Sequence, residues 1–195
     1  MDTRLIFEIV FIVFMVVMGI IRRPFEKAVK DNSIDVQKKD TEEKILLGLT
    51  FLGMSIIPLV YILSPWLNFA NYQLPLYLQL MGVVVMVLAA VFFYRSHKDL
   101  GKNWSVSLEI REEHTLITSG IYKSIRHPMY TAIWLWVIGQ ALLLPNYIAG
   151  LSGIVGFGLL YLIRVGKEEK MMEAQFGDQY LHYKKQTKRL IPGIL

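Results

Sequence analysis

The hydrophobic residues of this chain lie in five long apolar runs that are separated by polar segments. An α-helix needs about 20 mostly apolar residues, and at least roughly 17, to cross the hydrocarbon core of a bilayer. We therefore predict five transmembrane helices, of which the last two are the shortest. They cover residues 5–21, 45–63, 74–94, 129–144 and 147–163.

The charged residues give these predicted helices an orientation. Twenty of the 21 Lys and Arg residues lie in three blocks, at 22–44, 95–126 and 164–189, whereas the connections 64–75 and 145–147 carry no charge. By the positive-inside rule the charged blocks face the cytoplasm. With an odd number of spans, the N-terminus is predicted outside and the C-terminus inside.

Composition supports a membrane protein and narrows its chemistry. The hydrophobic share of 54% and the mean hydropathy of +0.41 exceed the roughly 45–50% apolar share of soluble domains. Membrane topology and anionic head groups explain the net charge of +5, so no nucleic-acid partner is predicted. The absence of cysteine excludes disulfides, thiolate nucleophiles and Cys-ligated metals, and no metal site is predicted. The predicted fold is an all-α integral membrane protein, with residues 1–195 in a single domain.

Several features of the apolar runs predict packing rather than chemistry. Arg4 and Glu8 are spaced i,i+4, which predicts an interfacial ion pair. Pro58 should kink the second span. The polar connection over residues 26–44 shows no catalytic spacing. A face of small residues in the last run should let helices approach closely; it comprises Ala149, Gly150, Ser152, Gly153 and Gly156.

A polar segment leads directly into the fourth run. Pro128 suits the first position of a helix, and the start of that helix offers backbone N–H groups and the positive end of the helix dipole to an anion. His127 and Tyr130 belong to that first turn. Two interpretations are open, because Arg126, His127 and Tyr130 are also typical interfacial anchors.

A second polar motif follows the fifth run. Arg164 and Glu168 are spaced i,i+4 and share a helix face, which by itself indicates only a surface ion pair worth under about 1 kcal/mol. The connection Pro145-Asn146-Tyr147, however, predicts a tight antiparallel hairpin. Such a hairpin brings the start of span four next to the end of span five, so that His127, Tyr130, Arg164 and Glu168 converge on one site.

Four short motifs of the C-terminal half belong together: Tyr122, Arg126-His127-Pro128-x-Tyr130, Glu168-Glu169 and Phe176-Gly177-x-x-Tyr180-x-x-Tyr183. In combination they resemble a known family, the isoprenylcysteine carboxyl methyltransferases and the related phospholipid methyltransferases. The resemblance extends over about 106–192, and the stretch His-Thr-Leu-Ile-Thr-Ser-Gly at 114–120 is closest to the carboxyl methyltransferase branch.

The resemblance implies a membrane methyltransferase that uses S-adenosylmethionine and releases S-adenosylhomocysteine, from a pocket at the membrane–cytoplasm interface. Arg164 would face the methyl acceptor as the catalytic residue. The adenosine end of the cofactor would lie on His114, Thr115, Leu116, Ile117 and Tyr122. Its amino-acid end would lie on His127, Pro128, Met129 and Tyr130, with Glu168 from the second motif. Further candidates for the site are Ser107, Arg126 and Glu169.

The implied chemistry needs few catalytic groups. A carboxylate is already ionised at neutral pH, so it can attack a methyl sulfonium in line without a general base. Holding the two reactants in line can contribute about 7–11 kcal/mol in well-oriented cases. The planar fork of Arg164 suits an acceptor carboxylate. The implied partners are a prenylated or otherwise lipophilic acceptor entering from the bilayer, and membrane lipids.

Three alternatives remain open at this stage. Sterol-reductase-like membrane enzymes carry a similar Arg-His-Pro element but use NADPH; the Glu168-Glu169 pair and the lack of a cysteine disfavour them. Phospholipid N-methylation would use the same cofactor with an amine acceptor. A transporter or scaffold is disfavoured because the spans contain few polar residues to line a path.

Overall fold

The computed structural model describes residues 3–30, 34–37, 41–101, 109–111 and 115–193. Among these residues the fold is mainly helical. The α-helices are α1 (Thr3–Lys30), α2 (Thr41–Phe51), α3 (Ile57–Leu63), α4 (Leu76–Leu100), α5 (Pro128–Leu143), α6 (Ser152–Phe176) and α7 (Asp178–Gln186). A π-helical turn covers Leu52–Ile56, and short 3₁₀ helices cover Asn68–Ala70 and Gly120–Lys123.

Among the described residues, one small antiparallel sheet accompanies the helices of the predicted all-α fold. Strand β1 (Ile34–Gln37) pairs with β2 (Glu109–Arg111), with a bulge between Ile34 and Val36. Both strands lie in polar connections and are shorter than the five or six residues typical of strands. The two strands are far apart in sequence, and no local alternation of polar and apolar residues predicted their pairing.

In the part of the chain that the structure describes, three helical stretches are long and apolar enough to cross a membrane, judged by length and composition. They are Thr3–Glu26, Thr41–Leu63 and Leu76–Leu100, and they match the first three predicted spans. Helix α5 is apolar but shorter, with 16 residues. The crossing of the bilayer by α5 and α6 therefore stays a prediction. The predicted pair of Arg4 and Glu8 is confirmed, with 2.6 Å between Nε and Oε1.

The connection between α5 and α6 is longer than predicted. It covers residues 144–151 rather than three residues, and α6 begins five residues later than the predicted span. Buried Asn146 causes the delay, because its Oδ1 accepts hydrogen bonds from the backbone N–H groups of Ile148 (3.0 Å) and Ala149 (2.9 Å). This turn still returns α6 antiparallel beside α5, as the sequence predicted.

The π-helical turn is the structural response to Pro58. The N–H of Ile57 donates to Leu52 O, and the next donor in that register would be Pro58, which has no N–H. Two side chains supply the hydrogen bonds that the Gly53 carbonyl would otherwise lack. Gln140 Nε2 donates to it at 2.9 Å and Ser152 Oγ at 2.7 Å. The break in the helix is thereby tied to α5 and α6.

Close contact between α6 and the α2–α3 segment confirms the predicted face of small residues. A Cβ added at Gly53 would lie 2.4 Å from Ser152 O, and one at Gly156 would lie 2.7 Å from Leu49 O. Both positions therefore require glycine. This packing places the start of α2 beside the charged half of α6, where the candidate site lies.

Candidate active site

The structure brings the two polar motifs together. Tyr130 OH donates to Glu168 Oε2 at 2.5 Å, and His127 Nδ1 lies 3.7 Å from Glu168 Oε1. The rings of His127 and Tyr130 stack with centroids 5.3 Å apart. The Glu168 side chain is 28% exposed, so this cluster opens to the surface. The prediction that the start of α5 lies beside the charged part of α6 is confirmed.

Glu169 occupies a different environment from Glu168, because its side chain is only 4% exposed. Its carboxylate accepts hydrogen bonds from His127 Nε2 (3.3 Å), Arg126 Nη2 (3.2 Å) and Arg189 Nη2 (2.8 Å). Lys184 Nζ lies 3.3 Å away. Glu169 thus joins the start of α5 to α7 and to the C-terminal segment. These contacts favour a structural role for Glu169 within the site rather than a role in binding a ligand.

Arg126 is likewise engaged inside the protein. Besides Glu169, its guanidinium donates to the carbonyl oxygens of Thr187 and Lys184, the latter at 3.3 Å. These bonds fix the C-terminal segment against the loop before α5. Among the candidates named from sequence, Arg126 and Glu169 therefore belong to the supporting framework of the cluster.

The two carboxylates raise the pKa of His127 above its ordinary value. Burial alone would lower that pKa, but the adjacent carboxylates of Glu168 and Glu169 outweigh burial. Burial likewise opposes ionisation of Glu168, yet the adjacent imidazole of His127 and the charge of Arg164 lower the pKa of Glu168 to about 2. The two carboxylates therefore favour the protonated form of the His127 imidazole that lies between them.

The two residues that precede α5 do not offer the free backbone donors that the sequence suggested. The N–H groups of Arg126 and His127 donate to the carbonyl oxygens of Lys188 (2.7 Å) and Arg189 (3.0 Å). The C-terminal segment after α7 supplies these acceptors, and nothing in the local pattern around Pro128 indicated its return. An anion bound here would be held by side chains rather than by these two backbone groups.

Arg164 lies at the inner side of the cluster and contacts a residue that sequence reasoning missed. Its Nη1 is 3.3 Å from Glu43 Oε1, and its Nε is 3.9 Å from Glu168 Oε2. Glu43 begins the buried face of α2, one turn before Leu46 and Leu47. That helical spacing was the available signal, because a glutamate on the apolar side of a helix needs a partner.

A cavity of about 500 Å³ extends from Arg164 and Tyr130 between the helices. Its other polar lining residues include Arg22 and His97. Most of the wall is apolar and comes from several helices, including Met15, Met18, Leu47, Met54, Ile133 and Trp136. Arg164 and Tyr130 thus connect a mainly apolar cavity to the charged cluster.

The remaining predicted residues lie in and around the loop before α5. Tyr122 is buried, and its carbonyl accepts a hydrogen bond from Tyr183 OH at 2.7 Å. Asp99, which the sequence did not single out, accepts a bond from Ile121 N at 2.8 Å. Gly120 has φ +60° and faces the Asp99 carboxylate so closely that a Cβ would lie 2.2 Å from Oδ2.

The other candidates divide by exposure. Pro128 is buried as the first residue of α5, and Met129 lines the cavity. Thr115 is exposed, whereas Leu116 and Ile117 are half-buried. His114 and Ser107 lie outside the residues that the structure describes.

Comparison with known proteins supports the resemblance inferred from the motifs. Residues 80–174 match the Isoprenylcysteine carboxyl methyltransferase (ICMT) family. The Homo sapiens protein-S-isoprenylcysteine O-methyltransferase is 32% identical over 161 residues, covering 78% of this chain and 57% of that protein. The Dictyostelium discoideum enzyme of the same name is 33% identical over 119 residues, covering 58% and 48%. Over residues 80–174 this chain is similar to the isoprenylcysteine carboxyl methyltransferases.

A solved structure extends this relationship to the fold. The eukaryotic intramembrane Ras methyltransferase of the ICMT family superposes with a TM-score of 0.52 at 25% identity, covering 82% of this chain and 55% of that one. The chain spans about half the length of these relatives. The matched segment 80–174 contains the His127–Glu168 cluster and Arg164 but not Glu43.

Proposed function

We propose that this protein is an integral membrane methyltransferase that transfers a methyl group from S-adenosylmethionine to the carboxylate of an isoprenylated cysteine or a similar lipophilic acid. The observation that carries the proposal is the junction at Arg164, where the charged cluster meets the apolar cavity. A reaction between a water-soluble donor and a lipid-soluble acceptor requires such a junction. The family relationship supports the same reaction class.

The cofactor would be held at Glu168, the partly exposed member of the cluster, with His127 and Tyr130 behind it. Together these residues offer an imidazole, a phenol and a carboxylate, which match the zwitterionic amino-acid end of S-adenosylmethionine. The loop with Thr115, Tyr122 and the residues between them would contact the adenosine end. S-adenosylmethionine supplies an electrophilic methyl group on a positively charged sulfur.

Arg164 would hold the acceptor. Its guanidinium lines the cavity beside Tyr130, so the carboxylate of an acceptor whose tail fills the cavity can form an ion pair with it. The acceptor needs no general base, because its carboxylate is ionised at neutral pH. The protein's contribution is then to align the carboxylate with the methyl group and exclude water from the path.

We also propose that the whole chain acts as one unit with its site on the cytoplasmic side. The cavity wall takes residues from α1 and α2 as well as from α5 and α6, so both halves of the chain complete the site. The charged blocks near the site favour the cytoplasmic side by the positive-inside rule. The N-terminus would then lie outside, with five crossings in total.

The test separates the cofactor from the acceptor. Calorimetric titration of the purified chain should detect binding of S-adenosylhomocysteine and none of NADPH, and Glu168→Ala should weaken that binding. Arg164→Ala should keep it but lower turnover of an S-farnesyl thiol acid by well over tenfold, since truncating a desolvated charge pair costs about 2–5 kcal/mol. Arg164→Lys should restore turnover only partly, because an ammonium lacks the planar fork.

Three results would contradict the proposal. Full turnover of carboxylate acceptors by Arg164→Ala would remove Arg164 from its assigned role. Methylation of amine head groups alone by the wild type would replace the carboxyl methyltransferase assignment with phospholipid N-methylation. Binding of NADPH in place of S-adenosylhomocysteine would indicate a reductase instead.

A further inference from the structure

Glu43 is a buried carboxylate that reaches the candidate site from outside the family-matched segment. Its side chain is 7% exposed and that of Arg164 is 11% exposed, and 3.3 Å separates Glu43 Oε1 from Arg164 Nη1. This distance is shorter than the 3.9 Å between Arg164 Nε and Glu168 Oε2. Of these two carboxylates, Glu43 is therefore the closer partner of the guanidinium.

The neighbouring residue on the same turn provides a contrast. Glu42 also pairs with a cation of α6, Lys167, but both of those side chains are about half exposed. An exposed pair contributes little, whereas a buried charge requires a partner. The start of α2 thus makes two ion pairs with α6, and only the one formed by Glu43 lies where the cavity ends.

We propose that Glu43 is a positioning residue that shares the Arg164 guanidinium with the acceptor carboxylate and so limits how tightly the acceptor binds. This inference rests on the function proposed above. Arg164 lines the cavity and contacts Glu43, so an acceptor carboxylate arriving through the cavity meets a cation that already has a nearby anion. The two carboxylates repel one another across the guanidinium.

The chemistry explains why weaker binding would favour turnover. In the proposed reaction an acceptor oxygen forms a bond to the methyl carbon while the methyl–sulfur bond breaks, and the electron pair of that bond stays on sulfur. The acceptor carboxylate becomes a neutral ester, and no proton moves. An ion pair to Arg164 is therefore strongest before the reaction, and an interaction that stabilises the ground state more than the transition state slows the chemical step.

The experiment compares Glu43→Gln with the matched control Glu42→Gln in the full chain. Glu43→Gln keeps the side-chain shape but removes the competing charge. We expect the dissociation constant of an S-farnesyl thiol acid, measured with S-adenosylhomocysteine bound, to fall roughly tenfold, and kcat to fall as well. Binding of S-adenosylhomocysteine alone should stay unchanged. Glu42→Gln should match the wild type in all three measurements.

A decrease in both the acceptor dissociation constant and kcat distinguishes sharing of Arg164 from simple structural support. Loss of structural support would weaken acceptor binding or leave it unchanged, and either result overturns the inference. If Glu43→Gln does not fold, Glu43→Asp is used, because it keeps the charge but withdraws it from Arg164 by one methylene. It should shift both constants in the same direction by less than tenfold, and wild-type values would overturn the inference.

The outcome for the wild type separates this inference from the proposed function. A wild type that binds S-adenosylhomocysteine but methylates no carboxylate acceptor overturns both. A wild type that methylates the S-farnesyl acid, together with a Glu43→Gln variant of unchanged kcat and acceptor affinity, overturns the role of Glu43 alone.

Discussion

Removal of the Glu169 carboxylate should destabilise the folded protein more than removal of the carboxylate of Glu168 or Glu173, which lie on the same helix. Glu169→Ala leaves Arg126 and His127, whose side chains are 8% and 5% exposed, without their shared anion. Breaking a buried pair by deleting one partner costs about 3–5 kcal/mol. The exposed partners Arg189 and Lys184 add less than about 1 kcal/mol each. We therefore expect the free energy of unfolding to fall by about 3–5 kcal/mol.

The assay is thermal unfolding of the purified chain in detergent, followed by tryptophan fluorescence. For a chain of this size 1 kcal/mol shifts the midpoint by roughly 2–4 °C, so the expected drop is on the order of 6–20 °C. Glu173→Ala is the matched control, because Glu173 lies on the same helix and shares Lys184, with its own side chain 33% exposed. That control should shift the midpoint by only a few degrees at most.

The comparison with Glu168 makes the reasoning refutable. Glu168 is more exposed than Glu169, so Glu168→Ala should weaken S-adenosylhomocysteine binding with a smaller loss of stability. If Glu169→Ala unfolds within about 1 kcal/mol of the wild type, the buried ion pairs do not hold the C-terminal segment in place. If Glu168→Ala is the less stable of the two variants, the division between a ligand-binding and a supporting carboxylate is wrong.

Two further predictions concern pH and topology. Because the pKa of His127 is raised, the stabilisation it provides is complete below pH 6.5 and is lost as the pH rises through the raised pKa, whereas the stabilisation from Glu168 is lost as the pH falls from 4.5 toward about 2. The unfolding temperature should therefore decrease at both more acidic and more alkaline pH. His127→Gln should abolish the alkaline decrease. The chain lacks cysteine, so Phe69→Cys, at a side chain that is 80% exposed, should react with an impermeant thiol reagent added outside cells, and Lys185→Cys only after permeabilisation; the reverse pattern would overturn the proposed orientation.

The helices and the meeting of the two polar motifs were predictable because both follow from short-range patterns. Apolar length located the first three spans. A short connection after the fourth run was enough to place Tyr130 beside Glu168. The turn held by Asn146 and the π-helical turn before Pro58 were not predictable in detail, since each depends on a hydrogen bond between residues far apart in sequence. Asn146 Nδ2 donates to Asn71 Oδ1, and Gln140 Nε2 donates to Gly53 O.

The parts of the site that sequence reasoning missed share a common cause. Glu43 contacts Arg164, although the two residues are 121 positions apart in the sequence. Arg189 and Lys184 meet Glu169 only because the segment after α7 returns to the start of α5. Tertiary packing sets both contacts. The helical periodicity of α2, which places Glu43 on the buried face, was the local sequence signal for the contact between Glu43 and Arg164.

The division of the site between the two halves of the chain suggests how acceptor choice is encoded. The cluster that would bind the cofactor, together with Arg164, lies wholly within the family-matched residues 80–174. The cavity wall, in contrast, draws Met15, Met18 and Leu47 from helices outside that segment, and Glu43 comes from the same region. The residues that would bind the cofactor can thus stay the same while the residues around the acceptor tail and its carboxylate vary. Acceptor specificity should therefore follow exchanges in α1 and α2, with cofactor affinity unaffected.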